Sequence, residues 1–329
     1  MTHYLPAVYV LSYAVAIFAY VCVDGWDLGV GILYTLLART ADRDALFDYI
    51  ASCRDAHEEG LVFGGLLVLL GFPLAYSLLS PRLCVAIVVM LIFLLLRWAC
   101  REFRKPDAKL RGIWETGFAC ASVGATFAQG WILGTQVADI EAPRDTVIAF
   151  LCGAGLIGGY ALLGSGWLIM KTEGAIQTTA REVSGPALAL SLPALVVLSV
   201  LSGSTGLAAL GGCAIVGWRL RQSVWRKPAA RPLQWAVALL LLAYCGVLAG
   251  LYPYMAIHSH TIPKAASDPT TAWLAWLGIG AILLVILLYL AVGYRALRSK
   301  TAPTARAASN HASIASCRTS GAASSLHLS

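Results

Sequence analysis

Two short runs of residues carry the acid–base chemistry open to this sequence. The first is Asp24-Gly25-Trp26-Asp27-Leu28-Gly29-Val30-Gly31, with two carboxylates and three glycines near the end of a long apolar stretch. Asp24 and Asp27 stand three apart, so a helix sets them on a shared face. Gly25, Gly29 and Gly31 let a neighbouring helix or a cofactor come close to the backbone. The second run is Asp55-Ala56-His57-Glu58-Glu59, at the opening of the next apolar stretch. Carboxylates and an imidazole can relay protons where water joins them. Each run also has a plainer reading, since acids and packing glycines often end an apolar helix and acids in a first turn complement the helix dipole.

The remaining polar groups are weaker candidates. Arg97, Arg101, Glu102 and Arg104 close the third apolar stretch and read mainly as an anchor at the membrane face. Gln129 sits mid-stretch and reads as a hydrogen-bond partner for a neighbouring helix, while Lys171, Glu173 and Gly174 close the fifth stretch. His258 and His260 form a His-x-His pair, but two ligands on a loop make a poor metal site, and no metal is expected. The nine cysteines show no CxxC spacing and read as small buried hydrophobes. Paired histidines are missing from the centres of the apolar stretches, so haem ligands are not expected from this chain.

The elements that must position these groups are membrane helices. Of the 329 residues, 59% are hydrophobic and only 12% charged, with mean hydropathy +0.74. A soluble domain carries about 25% charged residues. The apolar runs are continuous and do not alternate with period two, so helices are expected and a barrel is not. The first run is too long for a signal-peptide core and reads as a retained helix. The net charge of +7 lies in loops between apolar runs, which argues against a nucleic-acid partner.

Apolar segments fall at 7–36, 58–79, 83–100, 115–137, 147–170, 187–201, 203–218, 233–253 and 273–294. The fold class expected is all-α, a polytopic membrane bundle of eight or nine transmembrane helices. The sixth and seventh segments are short and could fuse across Ser202-Gly203-Ser204, because a span needs about 20 residues. Basic residues tend to stay on the cytoplasmic side. With nine spans, 21 of the 24 lysines and arginines gather on one face, leaving Arg82, Arg144 and Lys264 on the other. Fusing the two short segments would move the arginines of 219–231 outward and break the pattern. Charge therefore favours a turn at Ser202–Thr205, an outer N-terminus, and both acidic runs at the cytoplasmic face. Residues 1–300 read as a single membrane domain, and 301–329, rich in Ala, Ser and Thr, as a disordered cytoplasmic tail.

The sequence resembles the cytochrome bd-type quinol oxidase subunit II family. Asp24 to Gly31 is similar to the family's first-helix signature, with Trp26 in place of the usual Phe. Asp55, Glu58, Gly64, Gly65, Phe72 and Pro73 fall in register with its second motif, while His57 stands where Asn is usual and Gly60 where Trp is usual. Further matches are Arg97 with Glu102-Phe103-Arg104, Trp114, Gln129-Gly130 with Gly134, Lys171-Thr172-Glu173-Gly174, and Tyr252-Pro253 with Ile262-Pro263. The departures at 57 and 60 are of a kind that a divergent or cyanide-insensitive branch would show.

The resemblance implies a subunit of a complex in the bacterial inner membrane that oxidises quinol and reduces dioxygen to water. It implies a partner, subunit I, that holds b- and d-type haems, with a small third subunit, lipid and a structural quinone as further candidates. It implies that this chain stabilises subunit I and has no independent catalysis. Asp55 matches the acid proposed to join a proton path, and Asp24, Asp27, Glu58 and His57 surround that path as candidates. Gly25, Gly29, Gly31, Gly64 and Gly65 are the candidate packing positions. Two other readings stay open: a secondary transporter whose sixth and seventh segments are half-helices around a substrate, and a purely structural membrane subunit.

Overall fold

The computed structural model describes residues 5–36, 73–104, 110–138, 143–226, 231–252, 254–256 and 260–261. Asp55, His57, Glu58, Gly64, Gly65, His258, the segment at 273–294 and the tail from 301 lie outside the described residues. Seven α-helices are described: α1 (Leu5–Leu33, followed by a 3-10 turn Tyr34–Leu36), α2 (Pro73–Phe103), α3 (Arg111–Val137), α4 (Pro143–Lys171), α5 (Ala175–Leu201), α6 (Gly203–Ser223) and α7 (Arg231–Leu251). A small antiparallel pairing of β1 (Tyr254–Ala256) with β2 (His260–Thr261) follows, which the sequence did not announce. Five of the helical segments are long and apolar enough to cross a membrane. The protein is a multi-pass, all-helical membrane protein.

Neighbours in sequence pack antiparallel. Cys100 meets Gly117 and Phe93 meets Gly124 between α2 and α3, and Cys152 meets Gly130 while Ala149 meets Gly134 between α3 and α4. Ala194 meets Gly155 and Ser184 bonds Ser165 between α4 and α5. Helix α4 is the hub, packed on α1, α3, α5 and α7. It is apolar on every face, as a helix buried all round must be. Its Tyr160, Leu163, Leu168 and Ile169 join Leu28, Val30 and Tyr34 of the α1 segment and Phe118 of α3 in the main core.

Two boundaries differ from those expected, and a third, in question between eight and nine spans, falls where charge put it. Helix α2 runs unbroken from Pro73, so Ser80-Pro81-Arg82 lies within a helix and not in a loop between two spans. Proline is tolerated in membrane helices, where a non-helical backbone facing lipid would cost far more. At 1.5 Å per residue the 31 residues of α2 reach about 46 Å, longer than the roughly 30 Å hydrocarbon core. Helix α5 begins at Ala175 and not near 187, passing through Gly185-Pro186. Gly174 (φ 74°) makes the turn from α4, and Gln177 Nε2 donates to the Ile169 and Thr172 carbonyls at the end of α4.

The third boundary is the turn at Ser202. Helix α5 ends at Leu201 and α6 opens at Gly203 (φ 67°). Gly206 lies against Ser199 and Gly217 against Leu188, so the two helices fold back on each other. With 27 and 21 residues, both reach membrane-spanning length. The objection from short length disappears, and so does the picture of two half-helices around a substrate.

Candidate functional site

The carboxylates of α1 sit one turn apart and are both buried, Asp24 at 6% and Asp27 at 5% exposure. Their surroundings differ in kind. Asp27 Oδ2 accepts from Arg97 Nη1 at 2.8 Å, and the Asp27 carbonyl accepts from Arg97 Nη2 at 3.1 Å. Arg97 Nε donates to Ser122 Oγ at 3.0 Å, and the guanidinium lies over the Phe118 ring, 4.8 Å from its centre. One buried cation thus ties α1, α2 and α3 together. Such a pair needs added hydrogen bonds to offset its desolvation, and Ser122 and the Asp27 carbonyl supply them.

Asp24 faces neutral groups. Its Oδ2 accepts from Tyr20 Oη at 2.7 Å and from Gln129 Nε2 at 2.9 Å. Gln129 Nε2 also donates to Tyr20 Oη at 3.0 Å, and Tyr160 Oη donates to Gln129 Oε1 at 2.7 Å. The amide of α3 therefore spans from the acid of α1 to the phenol of α4. A third group closes the ends of α2 and α3, where Glu115 Oε1 accepts from Arg104 Nη2 at 2.9 Å and Arg111 Nε at 2.8 Å.

Close backbone approach sets these distances. A Cβ on Gly29 would strike the Tyr160 carbonyl, and one on Gly164 would strike the backbone of Gly29. Gly25 lies under Tyr160 and Leu163, and Gly31 against Ser122. Trp26 stacks on Trp167 with ring centres 4.8 Å apart. The motif at 24–31 is therefore the seat of α3 and α4 on α1.

Arg97 and Arg104 are not the exposed anchor that their position suggested. Both are buried and ion-paired, and Arg101 is buried with them. Gln129 does bond across to a neighbouring helix. Lys171 is buried at the end of α4, while Glu173 and Gly174 are exposed in the turn to α5. Tyr20, Ser122, Glu115 and Tyr160 went unnoticed in the sequence. A signal existed for Ser122: an arginine within an apolar run demands hydrogen-bond acceptors on the helices beside it. Tyr20 and Tyr160 gave none, because aromatic residues in apolar runs usually serve packing.

The model of the cytochrome bd terminal oxidase subunit II family matches residues 5–297. The chain belongs to that family. A Haemophilus influenzae protein described as "probable cytochrome oxidase subunit 2" is 25% identical over 195 residues, which are 54% of this chain and 52% of that protein. The chain thus matches about half the length of that relative. The structure of bd oxidase from Geobacillus thermodenitrificans superposes with a TM-score of 0.68 at 16% identity, covering 88% of this chain and 98% of that one. That likeness shows the fold.

A bd oxidase subunit II comes from a cytochrome family, so haem binding must be tested on its own residues. The described helices contain no histidine. Among the described residues no group of three or more His, Cys, Asp or Glu is placed to hold a metal ion. A histidine-ligated haem therefore has no ligand on the described helices.

Proposed function

We propose that this chain is the haem-free subunit II of a quinol-oxidising, dioxygen-reducing complex of the bacterial inner membrane. The observation that carries the reading is the family match over residues 5–297, nearly the full chain. Its partner is a haem-bearing subunit I, which supplies the redox chemistry, with a small third subunit, lipid and a structural quinone as further components. The chain stabilises that partner and contributes to proton delivery from the cytoplasm, the side on which its arginine-rich loops and tail lie.

The two buried acids divide the work. Asp27 is ion-paired with Arg97, and protonating it would weaken that buried contact. Asp24 is hydrogen-bonded to neutral groups, Tyr20 and Gln129, and makes no direct ion pair with Arg97 in those contacts, so it can take up and release a proton at lower cost than Asp27. Asp24 is the proton-carrying acid of the first motif and Asp27 its structural acid. Asp55, with His57 and Glu58 close to it in sequence, is the further acid that the family resemblance assigns to the path.

Quinol-dependent oxygen uptake by membranes tests the reading. Removing this chain abolishes uptake. Asp55→Asn and Asp24→Asn slow it about tenfold or more, the usual effect of losing a positioned proton-transfer group. Full uptake in Asp55→Asn would remove that residue from the path and favour a purely structural subunit. Full uptake without the chain would overturn the assignment.

A further inference from the structure

We infer that the exposed face of α6 toward its C-terminal end, beside the start of α5, binds the headgroup of an anionic phospholipid. The exposed face of α6 changes character along its length. Leu207 and Ile215 are 56% and 65% exposed, and past them come Trp218 and Trp225, each 63% exposed. Exposed indoles belong at headgroup depth, where one edge of the ring is wet and the other apolar. A shallow groove runs between the two regions, lined by Ala214, Ile215, Trp218, Arg219 and Gln222. It offers an acyl chain an apolar path that ends at a cation.

The polar end of the groove is built for negative charge. Residues 214–226 contain three arginines and no acid. Arg181 of α5 adds a fourth guanidinium, 5.6 Å from the centre of the Trp225 ring. Its Nε is buried and has no hydrogen-bond partner among the described residues. The one acid beside it in sequence, Glu182, is exposed on α5. Clustered basic residues at a membrane face select anionic over zwitterionic lipid. Basic charge, paired indoles and an apolar track on one face favour a lipid over a protein partner.

Native mass spectrometry of the chain, purified in mild detergent with the subunits that accompany it, tests this. The probes are dioleoylphosphatidylglycerol, dioleoylphosphatidylcholine and inorganic phosphate. Phosphatidylglycerol is expected to stay bound where phosphatidylcholine does not. Retention should fall about fivefold for each of Arg181→Gln and Arg219→Gln and recover in Arg219→Lys. Inorganic phosphate at millimolar concentration should not displace the lipid, because it lacks the acyl contacts. Equal retention of the two lipids, unchanged retention in the variants, or displacement by phosphate alone would each overturn the site. Should the arginine variants fail to fold, the thermal midpoint of the unaltered protein decides: phosphatidylglycerol must raise it more than phosphatidylcholine does.

Discussion

Asp24 and Asp27 illustrate how far residue type and spacing reach. Their shared helical face follows from the interval of three, and their burial from the apolar run around them. Their different partners do not follow, because Arg97 lies 70 residues from Asp27 and Gln129 lies 105 from Asp24. Only packing brings them together. Arg97 reads as an anchor because it stands near the end of an apolar run. Its true role depends on α1 and α3 closing around it. Removing one partner of such a pair strands the other charge, whereas removing both costs less. Arg97→Ala should lower stability by about 3–5 kcal/mol, and Arg97→Gln combined with Asp27→Asn by clearly less. Denaturant unfolding in detergent, followed by tryptophan fluorescence, reads both. Equal losses in the two variants would mean that the pair is not coupled.

At the scale of elements, the periodicity and length of the apolar runs located the helices well, and the ends of the runs located them badly. The apolar run at 187–201 opens just past Gly185-Pro186 and so marked the start of α5 too late. The helix runs through that pair, since lipid gives the backbone no other partner for its hydrogen bonds. The turn at Ser202 was legible for a different reason: charge on the flanking loops fixed it where hydropathy could not. Contact between helices was half legible. The glycines of the motif announced a close neighbour, and the fold identifies it as α4. A methyl group on Gly29 has no room, because the obstacle is the Tyr160 carbonyl and not a movable side chain. Gly29→Ala should therefore separate α1 from α4 and sharply lower the yield of folded chain. Gly112→Ala, where nothing lies within 4 Å of an added Cβ, should leave yield and thermal midpoint unchanged or slightly raised. Size-exclusion profiles of the two variants, expressed side by side, make the comparison. Equal yields would show that the tight approach is not required.

The whole molecule places its expensive groups together. Among the described residues, buried polar side chains of α1–α4 gather in two hydrogen-bonded groups, at Asp24 and at Asp27 with Arg97, and a third group of Arg104, Arg111 and Glu115 joins the end of α2 to the start of α3. The proposed orientation puts these groups toward the cytoplasmic half of the bundle. The proposed function divides the work between this chain and a haem-bearing partner. A visible absorption spectrum of the complex purified through a tag on this chain tests that division most directly. Haem bands should accompany the chain and its partner and be absent from the chain expressed alone. Haem bound by the isolated chain, or a purified complex with no haem bands, would contradict it.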